Sequence, residues 1–337
     1  MNRADFNENQ SKDFRVLASV VTWNHAQCIE ACVNSLLNQN YGPLSIVVHD
    51  NASQDGTREV LKKFSGQIII RFGEINTGFC GGHNSVIAST QSEMVLLVNP
   101  DVVLPPDYIE KAVARMEVDP QVGTVCGLLL QGEPVQPDCT VDGAGLLMSR
   151  SRHPILRFHC APLSTVTPAS REVFGCDGAL PLFRRKMIDE ISVNGEFFDS
   201  MFFAHKEDHD IAWRAQIFGW KTVFEARCVA VHPRHFKPGN LSLRRKIAPE
   251  MKYHAVKNDL LLLLKNEDGI NLLKDFFYIV PRQVAIFGYV LLFERTSLKA
   301  YSFVLKNLRK ILKKRKIIQQ RRKATPWQVR QKFLLTG

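Results

Sequence analysis

The sequence lacks a cysteine pair at CxxC spacing, a basic and apolar leader at its start, and any acidic residue after Glu294. Its eight cysteines are scattered and have no His partner at zinc-finger spacing, so we expect reduced thiols and no structural zinc. Cys28 and Cys32 lie four residues apart, as on one helix face, and burial explains this pair better than a metal does. The polar, acidic start predicts a flexible segment over residues 1–14 and a protein that stays in the cytoplasm.

Basic charge is concentrated at the C-terminal end. Fourteen of the 44 Lys and Arg residues lie between Arg295 and Gly337, so the first 294 residues carry 30 basic and 33 acidic side chains, although the chain of 337 residues has a net charge of +11. A basic run interleaved with Leu and Ile, as in residues 306–323, favours attraction to anionic lipid. Nucleic acid is the competing partner, but no aromatic stacking platform or binding module accompanies the charge, so none is predicted.

Two common nucleotide-binding motifs are also missing. The first predicted strand, residues 15–23, runs into Thr22-Trp23-Asn24-His25 instead of GxGxxG, which excludes a dinucleotide-binding Rossmann domain. A glycine cluster beginning at Gly78 follows the third strand at the wrong spacing. The absence of GxxxxGK[ST] excludes a P-loop kinase.

Strands and helices nevertheless alternate through the first part of the chain. Predicted strands at 15–23, 43–48, 67–72 and 93–98 are separated by helical patterns, which predicts an α/β fold with a mostly parallel, doubly wound sheet. Asp50 follows the second of these strands, and Asp101 follows the fourth in the sequence NPDV. Such residues often only make turns, but carboxylates at strand ends can also hold a ligand or a divalent metal.

The ordered series VVTWN, DNASQDGT, NTGFCGGHN and NPDV resembles the nucleotide-binding half of family 2 inverting glycosyltransferases of the GT-A fold, particularly rhamnosyltransferase-like members. The resemblance implies that Asp50 contacts the nucleotide base and that Asn84 lies near the nucleoside. It also implies that Asp101 is the remaining carboxylate of a DxD-like motif that binds Mg²⁺ or Mn²⁺, because Asn99 replaces the first acid. The donor-binding set implied by these motifs is Thr22, Asn24, Asp50, Asn76, Gly78, Asn84 and Asn99.

The middle of the chain predicts a helix at 105–118, a strand at 122–130, a loop-rich insertion with acceptor contacts at 131–171, a strand at 174–183 and a helix at 184–191. Three acidic residues then lie within positions 207–210. Acidic side chains are favourable at a helix N-terminus, so the start of a helix would be sufficient to explain them. The segment also resembles the family's EDvDL..R motif. That match implies that Asp208 is the catalytic base, that Glu207 faces the acceptor, and that Asp210 forms a structural pair with Arg214.

A strand at 221–231 is predicted to deliver His232, which in the family can complete the metal and diphosphate site, although a lone His is more often structural. The helix at 253–266 resembles a family helix, with Lys257-Asn258 in place of Arg-Asn. We therefore expect a glycosyltransferase domain at 15–265 and a C-terminal helical extension at 266–337. The apolar run 276–293 predicts a helix lying in a membrane interface rather than spanning it, with packing on the core as the alternative.

The resemblance implies an inverting transferase that moves a sugar from a nucleotide-sugar to a hydroxyl of a lipid-linked glycan acceptor, with L-rhamnose from dTDP-rhamnose as the donor. The basic, apolar C-terminal region adds the expectation that this happens at the cytoplasmic membrane surface. UDP-sugars are the alternative donors. A nucleotidyltransferase is the rival enzyme, and an inactive scaffold in a membrane glycan-assembly complex is the rival from another class. The oligomeric state is not predicted. The extension is expected to attach the enzyme peripherally to the inner face of the membrane without taking part in the chemistry, so that truncation after Asn266 releases it from anionic vesicles.

Overall fold

A computed structural model describes residues 14–132, 139–166, 169–233, 244 and 247–334. Most of the predicted flexible N-terminus, residues 1–13, lies outside the described residues. The first part of the chain forms four strands, each followed by a helix. Their bounds are β1 Val16–Thr22, α1 Ile29–Leu37, β2 Leu44–Asp50, α2 Thr57–Lys62, β3 Ile69–Phe72, α3 Gly78–Ala88, β4 Met94–Val98 and α4 Tyr108–Glu117.

The central sheet has the order β3-β2-β1-β4-β10-β5-β11-β9, with β6 paired to β5. Strands β1 to β4 are mutually parallel, which confirms the predicted mostly parallel α/β sheet and the GT-A-like architecture. Because the parallel strands end at one edge, Thr22, Asp50 and Val98 bring the loops that follow them together. The strands of the second part are β5 Val122–Leu130, β9 Arg171–Val173, β10 Leu182–Arg184 and β11 Lys221–Val231.

The predicted strand at 174–183 is wrong. Only Leu182–Arg184 pairs regularly, and this short β10 runs antiparallel between β4 and β5. Gly175, Gly178 and Pro181 punctuate the segment before it, and a proline cannot donate to a sheet ladder. Residues 174–181 therefore form an irregular segment that crosses the edge of the sheet where the parallel strands end.

The predicted loop-rich insertion at 131–171 is more ordered than expected. It contains β6 Val141–Gly143, β7 Leu146–Ser149 and β8 Pro154–Leu156, and it ends in β9. Strand β6 joins the central sheet, whereas β7 and β8 form a second, three-stranded sheet with β12 Phe333–Leu334 from the far end of the chain. Each strand here is only three or four residues long, which is why no period of two is visible in the sequence.

Helices cover both faces of the central sheet. The apolar side chains of β1 alternate between two buried clusters: Val16 and Ala18 pack with α1 and α4, and Leu17 packs with α3, α5 and α6 on the other face. The helices that follow β10 are α5 Arg185–Ile191, α6 Glu207–Ile217, α7 Pro249–Asn266, α8 Gly269–Lys274, α9 Phe276–Phe293, α10 Lys299–Gln320 and α11 Pro326–Arg330.

The C-terminal helices are attached to this core. Helix α10 lies along α7, and its Val304, Ile311 and Ile318, spaced seven residues apart, belong to the same buried cluster as Leu261 of α7. In contrast, α9 buries little of its apolar surface. Within the described residues it is the single helix whose length and composition would allow it to cross a membrane, and it carries Pro281 in its interior. The structure therefore shows the predicted helical extension, with its last long helix packed on the core.

Candidate active site

The loops after β1 and β2 are joined at the edge of the sheet. Asn24, which is exposed and has a φ of +59°, donates its backbone N–H to Ser53 Oγ over 2.9 Å. Its side-chain Oδ1 accepts from the Gln54 N–H at 2.8 Å. Thr22 is buried below this junction, with its Oγ1 3.3 Å from His25 Nδ1. The structure thus brings Thr22 and Asn24 beside the end of β2, where Asp50 lies.

Asp50 has a buried carboxylate, and among the described residues only one of its two oxygens accepts hydrogen bonds. Its Oδ2 accepts from Arg58 Nε at 2.7 Å and from the Ser53 N–H at 3.2 Å. Its Oδ1 is buried without a hydrogen-bond partner among the described residues. Because an unpaired buried acceptor is costly, such an oxygen is a site for a donor group of a ligand. An N–H of a nucleotide base or a ribose hydroxyl would satisfy it.

The loop before α3 serves mainly to position backbone. Asn76 Oδ1 accepts from the Gly78 N–H at 2.8 Å, which closes a local turn. Gly78 has a φ of +74°, and a Cβ there would lie 2.5 Å from the carbonyl oxygen of Phe203. Only glycine allows this close approach, which places α3 directly against the segment before α6. The structure therefore gives Asn76 and Gly78 a positioning role beside the predicted donor site.

Asn84 is not brought to the strand ends. Its Nδ2 donates to the Phe198 carbonyl at 2.7 Å, and its Oδ1 accepts from the Phe198 N–H at 2.9 Å. It also lines a cavity of about 150 Å³ with Thr90 and Arg185, near the start of β4 and thus at the opposite edge of the sheet. We therefore correct the expected nucleoside contact, because both ends of this amide hold the segment around Phe198.

The NPDV turn and the end of β11 meet at a histidine flanked by two carboxylates. Asn99 anchors the turn, since its N–H donates to the Ala179 carbonyl at 2.9 Å. His232 Nε2 lies 3.4 Å from Asp101 Oδ1, and His232 Nδ1 lies 2.7 Å from Asp142 Oδ2. Burial lowers the pKa of His232, but the two carboxylates outweigh it and raise that pKa to about 9. Burial also disfavours the charged form of Asp101, yet the hydrogen bond and charge of His232 keep its pKa below the usual value.

This arrangement fits a divalent metal. A histidine that binds a metal through one nitrogen commonly places its other nitrogen against a carboxylate, as His232 does with Asp142. No group of three or more His, Cys, Asp or Glu side chains able to hold a metal occurs in the part of the chain that the structure describes. Asp101 and His232 would therefore be the protein ligands, and diphosphate oxygens and water would complete the coordination, as is usual for Mg²⁺.

Glu207 and Asp208 open helix α6, as the helix N-terminus interpretation predicts. The turn before the helix is unusual, because Phe203, His205 and Lys206 all have positive φ, between +66° and +74°. Non-glycine residues persist in this conformation only where the surrounding structure fixes them, and they concentrate at functional sites. This segment, residues 203–206, is called the catalytic turn below.

The two acids are held in different protonation states. Burial, together with the charge of Asp208, raises the pKa of Glu207 to about 8, and its Oε2 has no hydrogen-bond partner among the described residues. Burial acts in the same direction on Asp208, but the charge and hydrogen bonds of His209 prevail and lower its pKa. At neutral pH Asp208 is therefore the available base, whereas Glu207 carries a proton. Two carboxyl groups whose pKa values are pushed apart are typical of an acid–base site.

The segment from Asp177 to Ala179 joins the two parts of the site. The Gly178 N–H donates to Asp208 Oδ2 at 3.2 Å, and the Ala179 carbonyl accepts the Asn99 N–H of the NPDV turn. A Cβ on Gly178 would lie 3.7 Å from Glu207 Oε1, so the backbone passes close to both acids. A single short backbone segment thus places the NPDV turn beside Asp208.

Helix α7 holds the catalytic turn through hydrogen bonds from two of its side chains to backbone carbonyls. Asn258 Nδ2 donates to the carbonyls of Phe202, Ala204 and His205, and Lys257 Nζ donates to the Met201 carbonyl at 2.7 Å. The resemblance pointed to Lys257 and Asn258, and the structure shows that they bind backbone. The predicted pair of Asp210 with Arg214 is present and buried. Lys265 Nζ, 2.9 Å from Asp210 Oδ2, and Asn266 add to it.

Sequence reasoning missed Asp142, Gly178 and Arg58. Asp142 lies in a three-residue strand within the segment that was interpreted as loops, so no pattern pointed to it. Gly178 lies in residues 174–183, which were predicted to form a regular strand, so it was not recognised as a site residue. Arg58 had a usable signal, since it lies eight residues after Asp50 at the start of α2, where a cation can reach back to the strand end.

Comparisons with known proteins agree with this architecture. Residues 18–191 match the family described as Glycosyl transferase family 2. An uncharacterised glycosyltransferase of Nostoc sp. is 25% identical over 134 residues, 39% of this chain and 40% of the relative. The putative teichuronic acid biosynthesis glycosyltransferase TuaG of Bacillus subtilis is 28% identical over 109 residues, 31% of this chain and 43% of the relative.

A solved structure supports the fold over most of the chain. The mannosyltransferase PcManGT from Pyrobaculum calidifontis, in complex with GDP-Man and Mn²⁺, superposes with a TM-score of 0.54 at 18% identity. The superposition covers 87% of this chain and 75% of the mannosyltransferase. The chain spans less than half the length of the curated relatives it matches.

Proposed function

The chain belongs to glycosyl transferase family 2, and on this premise we propose that it transfers a sugar from a nucleotide donor to a hydroxyl group of a glycan acceptor, with inversion at the anomeric carbon. The observation that carries the proposal is the segment Asp177–Ala179, which hydrogen-bonds to both the NPDV turn and Asp208. It supports the proposal because it brings the NPDV turn, where the leaving diphosphate would be held, beside Asp208, which would act as the base for the incoming hydroxyl.

The donor nucleotide would be held at the ends of β1 and β2. Asp50 Oδ1, which is buried and unpaired within the described residues, would accept a hydrogen bond from a base N–H or a ribose hydroxyl. Thr22 and Asn24 line the same junction. Arg58 keeps Asp50 oriented, since its guanidinium donates both to the carboxylate at 2.7 Å and to the Gly73 carbonyl at 2.6 Å.

Asp101 and His232 would hold a divalent cation, Mg²⁺ or Mn²⁺, against the diphosphate. When bound, the cation offsets the negative charge that develops on the leaving group. Asp142 would fix the orientation of His232 through the Nδ1 hydrogen bond of 2.7 Å. Asn99 keeps the turn closed through its backbone, and its uncharged side chain leaves Asp101 as the carboxylate of the motif.

Asp208 would remove the proton from the acceptor hydroxyl as its oxygen bonds to the anomeric carbon and the bond from that carbon to the diphosphate breaks. The carboxylate ends protonated and the nucleoside diphosphate leaves with the bonding pair, so no covalent intermediate with the enzyme forms. Glu207, protonated at neutral pH, would donate a hydrogen bond toward the acceptor instead of competing for its proton.

For the substrates, we propose L-rhamnose from dTDP-rhamnose as the donor, with UDP-sugars as the alternative, and a lipid-linked glycan as the acceptor. The naming of TuaG for teichuronic acid biosynthesis supports a role in cell-surface polysaccharide synthesis. The test is a screen of dTDP-, UDP- and GDP-sugars with the purified full chain and total bacterial membranes. It measures release of nucleoside diphosphate and incorporation of radiolabelled sugar, with Mn²⁺ and with EDTA. Incorporation from at least one donor is expected, and absence of transfer from every donor would contradict the proposal.

The acceptor would be reached at the cytoplasmic membrane surface, to which α9 and α10 would bind peripherally. On α9, Phe277 is 85% exposed and Phe293 70% exposed, which is apolar area that water solvates poorly. On α10, Lys306, Arg309, Lys310 and Lys313 are exposed as well. An apolar helix face combined with a basic patch is the two-signal arrangement that stable peripheral binding needs.

Surface substitutions test the membrane proposal better than truncation after Asn266, because truncation would uncover the core face of α7. Replacing Lys306, Arg309, Lys310 and Lys313 of α10 with Gln should weaken binding to anionic vesicles, measured by co-sedimentation, by about 1 kcal/mol per residue. The binding of the unmodified chain should weaken as salt is added. Equal binding of both proteins to anionic and to neutral vesicles would contradict the proposal.

A further inference from the structure

A cluster of charged groups connects α9 to the catalytic turn. Its centre is Asp259 on α7, whose side chain is 5% exposed. Lys206 Nζ lies 2.7 Å from Asp259 Oδ1, and Arg282 donates through both terminal nitrogens to the two carboxylate oxygens, each at 2.9 Å. Gln283 Nε2 adds a third donor at 3.0 Å. One buried carboxylate thus binds side chains from the catalytic turn and from α9.

Lys206 occupies the last position before the helix that carries Glu207 and Asp208. Its φ is +67°, and its carbonyl accepts the Asp210 N–H at 3.2 Å within the first turn of α6. Its Nζ also donates to the Ala255 carbonyl of α7 at 3.3 Å. The position of Lys206 therefore sets where α6 begins and, with it, where the Asp208 carboxylate lies.

Arg282 projects from the face of α9 that is turned toward α7. Its side chain is 18% exposed, whereas Phe277 and Val284 on the same helix are 85% and 64% exposed. Helix α9 contains no acidic residue and buries only Ile279 and Val290 fully. The bidentate pair with Asp259 is therefore the main polar contact that fixes the rotation of α9 on the enzyme.

We propose that Arg282 is a positioning residue for the base Asp208, acting through Asp259 and Lys206, so that transfer requires helix α9 in its docked position. The inference rests on the proposed function. It replaces the sequence-based expectation that the chain beyond Asn266 takes no part in the chemistry.

The physical reason lies in the burial of the cluster. Burial disfavours the charged form of Asp259, but the charge of Lys206 and the hydrogen bonds of Arg282 keep its pKa well below the usual value. Loss of the guanidinium leaves Lys206 as the principal counter-ion, so the ammonium is drawn toward a carboxylate that is now undercompensated. Because the catalytic turn is in a sparsely populated conformation, it depends on such fixed partners to stay there.

The test compares Arg282→Met, which keeps the aliphatic packing, with Arg282→Lys, which keeps the charge. Arg227→Met on β11 is the matched control, since it removes one exposed arginine whose partner, Glu225, does not belong to the cluster. In the full chain, Arg282→Met should lower kcat by about 10- to 100-fold, the range expected when a catalytic group is misplaced by about 1 Å. The donor KM and the calorimetric affinity for UDP with Mn²⁺ should stay within about twofold of the unsubstituted chain, because the donor-side residues are not touched.

Two further readouts separate positioning from a general structural role. Arg282→Lys should restore most of kcat, and hydrogen exchange in Arg282→Met should rise at residues 203–209 while it stays unchanged at residues 46–58. If Arg282→Met lost solubility, Arg282→Gln, which keeps donor groups without the charge, would replace it. The inference would be overturned if Arg282→Met had the same kcat as the control Arg227→Met, or if its kcat and its nucleotide affinity fell by the same factor.

The exchange measurement also keeps the two proposals apart. If the unsubstituted chain transferred sugar from no donor, the proposed function would fail, and with it the catalytic part of this inference. Higher exchange at residues 203–209 in Arg282→Met would then still demonstrate the link between α9 and the catalytic turn. Unchanged exchange together with unchanged kcat in an active enzyme would refute the link itself.

Discussion

The donor side and the catalytic side of this enzyme are held together in different ways. On the donor side, Asp50 binds Arg58 only eight residues further on, and the loops after β1 and β2 join through short contacts near the surface. On the catalytic side, Asp210 binds Lys265, and Asp199 binds both Lys265 and Lys314, over 55 to 115 residues of sequence and with almost no exposure at Lys265. The donor site is thus a local product of strand ends, whereas the catalytic segment is assembled by distant helices.

This difference predicts how each side responds to substitution. A donor-side change should mainly alter the affinity for nucleotide or metal, because the surrounding loops keep their own contacts. A catalytic-side change should reach either the rate or the stability of the whole chain, because its charges are buried and share partners.

The largest effect is expected from Asp208→Asn. The amide cannot accept the proton of the acceptor hydroxyl, so transfer should fall by about 10²- to 10⁴-fold. Affinity for UDP with Mn²⁺, measured by calorimetry, should be nearly unchanged, since a base contributes little to binding of the donor. If Asp208→Asn turned over as fast as the unsubstituted chain, Asp208 would not be the catalytic base. The proposed difference between the two sides would then be wrong.

The next effect concerns stability and uses one lysine from each side. Lys265→Met leaves Asp199 and Asp210 buried without their shared cation, which should cost about 3–5 kcal/mol in the free energy of unfolding. Lys63→Met removes the pair with Glu30 on the donor side, where both side chains are at least half exposed, and should cost about 1 kcal/mol or less. Urea denaturation monitored by circular dichroism measures both values. Equal losses would show that the two sides do not differ in how their charges contribute.

Asp101→Ala should act on affinity instead. Removal of a metal ligand should weaken Mn²⁺-dependent binding of nucleoside diphosphate by at least the roughly 10- to 100-fold that is typical when an outer-shell partner is lost. Asp107→Ala, which removes an exposed carboxylate at the start of α4, is the control. Calorimetric titration with and without Mn²⁺ gives both affinities. The assignment fails if Asp101→Ala binds as tightly as the control under both conditions.

The smallest change in activity is expected from Glu207→Gln. Glu207 holds a proton in the folded protein up to a pKa of about 8, whereas in the unfolded chain it ionises near 4.5, so its burial removes stability as the pH rises through this window. Gln is neutral at every pH and removes that loss. The variant should therefore keep transfer within about tenfold at pH 7, and its stability advantage over the unsubstituted chain should grow from pH 5 to pH 8. A constant difference in melting temperature over this range would contradict the raised pKa.

The sequence predicted the long strands of the central sheet well because they are regular and mostly buried. The bounds of β5 and β11 agree with the predicted strands at 122–130 and 221–231, and Asp50 and His232 lie at strand ends as expected. The family resemblance added what periodicity does not contain, namely which strand-end residues belong to one site. Their roles in binding remain predictions.

The contacts around these strand ends and on the catalytic side were predicted less completely, for a physical reason in each case. Asp142 lies on a three-residue strand and acts through His232, a partner 90 residues away that no local pattern marks. The apolar character of residues 174–183 suggested a strand, but the buried irregular segment around Gly178 has the same composition. The ion pairs of Arg282 and Lys314 depend on how helices dock, and charge runs in a sequence resemble a solvated surface until the docking is known.

The antiparallel strand β10 has a consequence for synthesis of the chain. It covers the edge of β4, whose five residues are all apolar and buried, yet it is encoded only after α4, β5 and the short strands β6 to β9 have been made. Until translation reaches Arg184, β4 is an uncovered edge of the kind that pairs with strands of other chains. A nascent polypeptide is therefore exposed to aggregation in the interval between these two strands, when slower elongation should lower the yield of folded enzyme and chaperone binding should raise it.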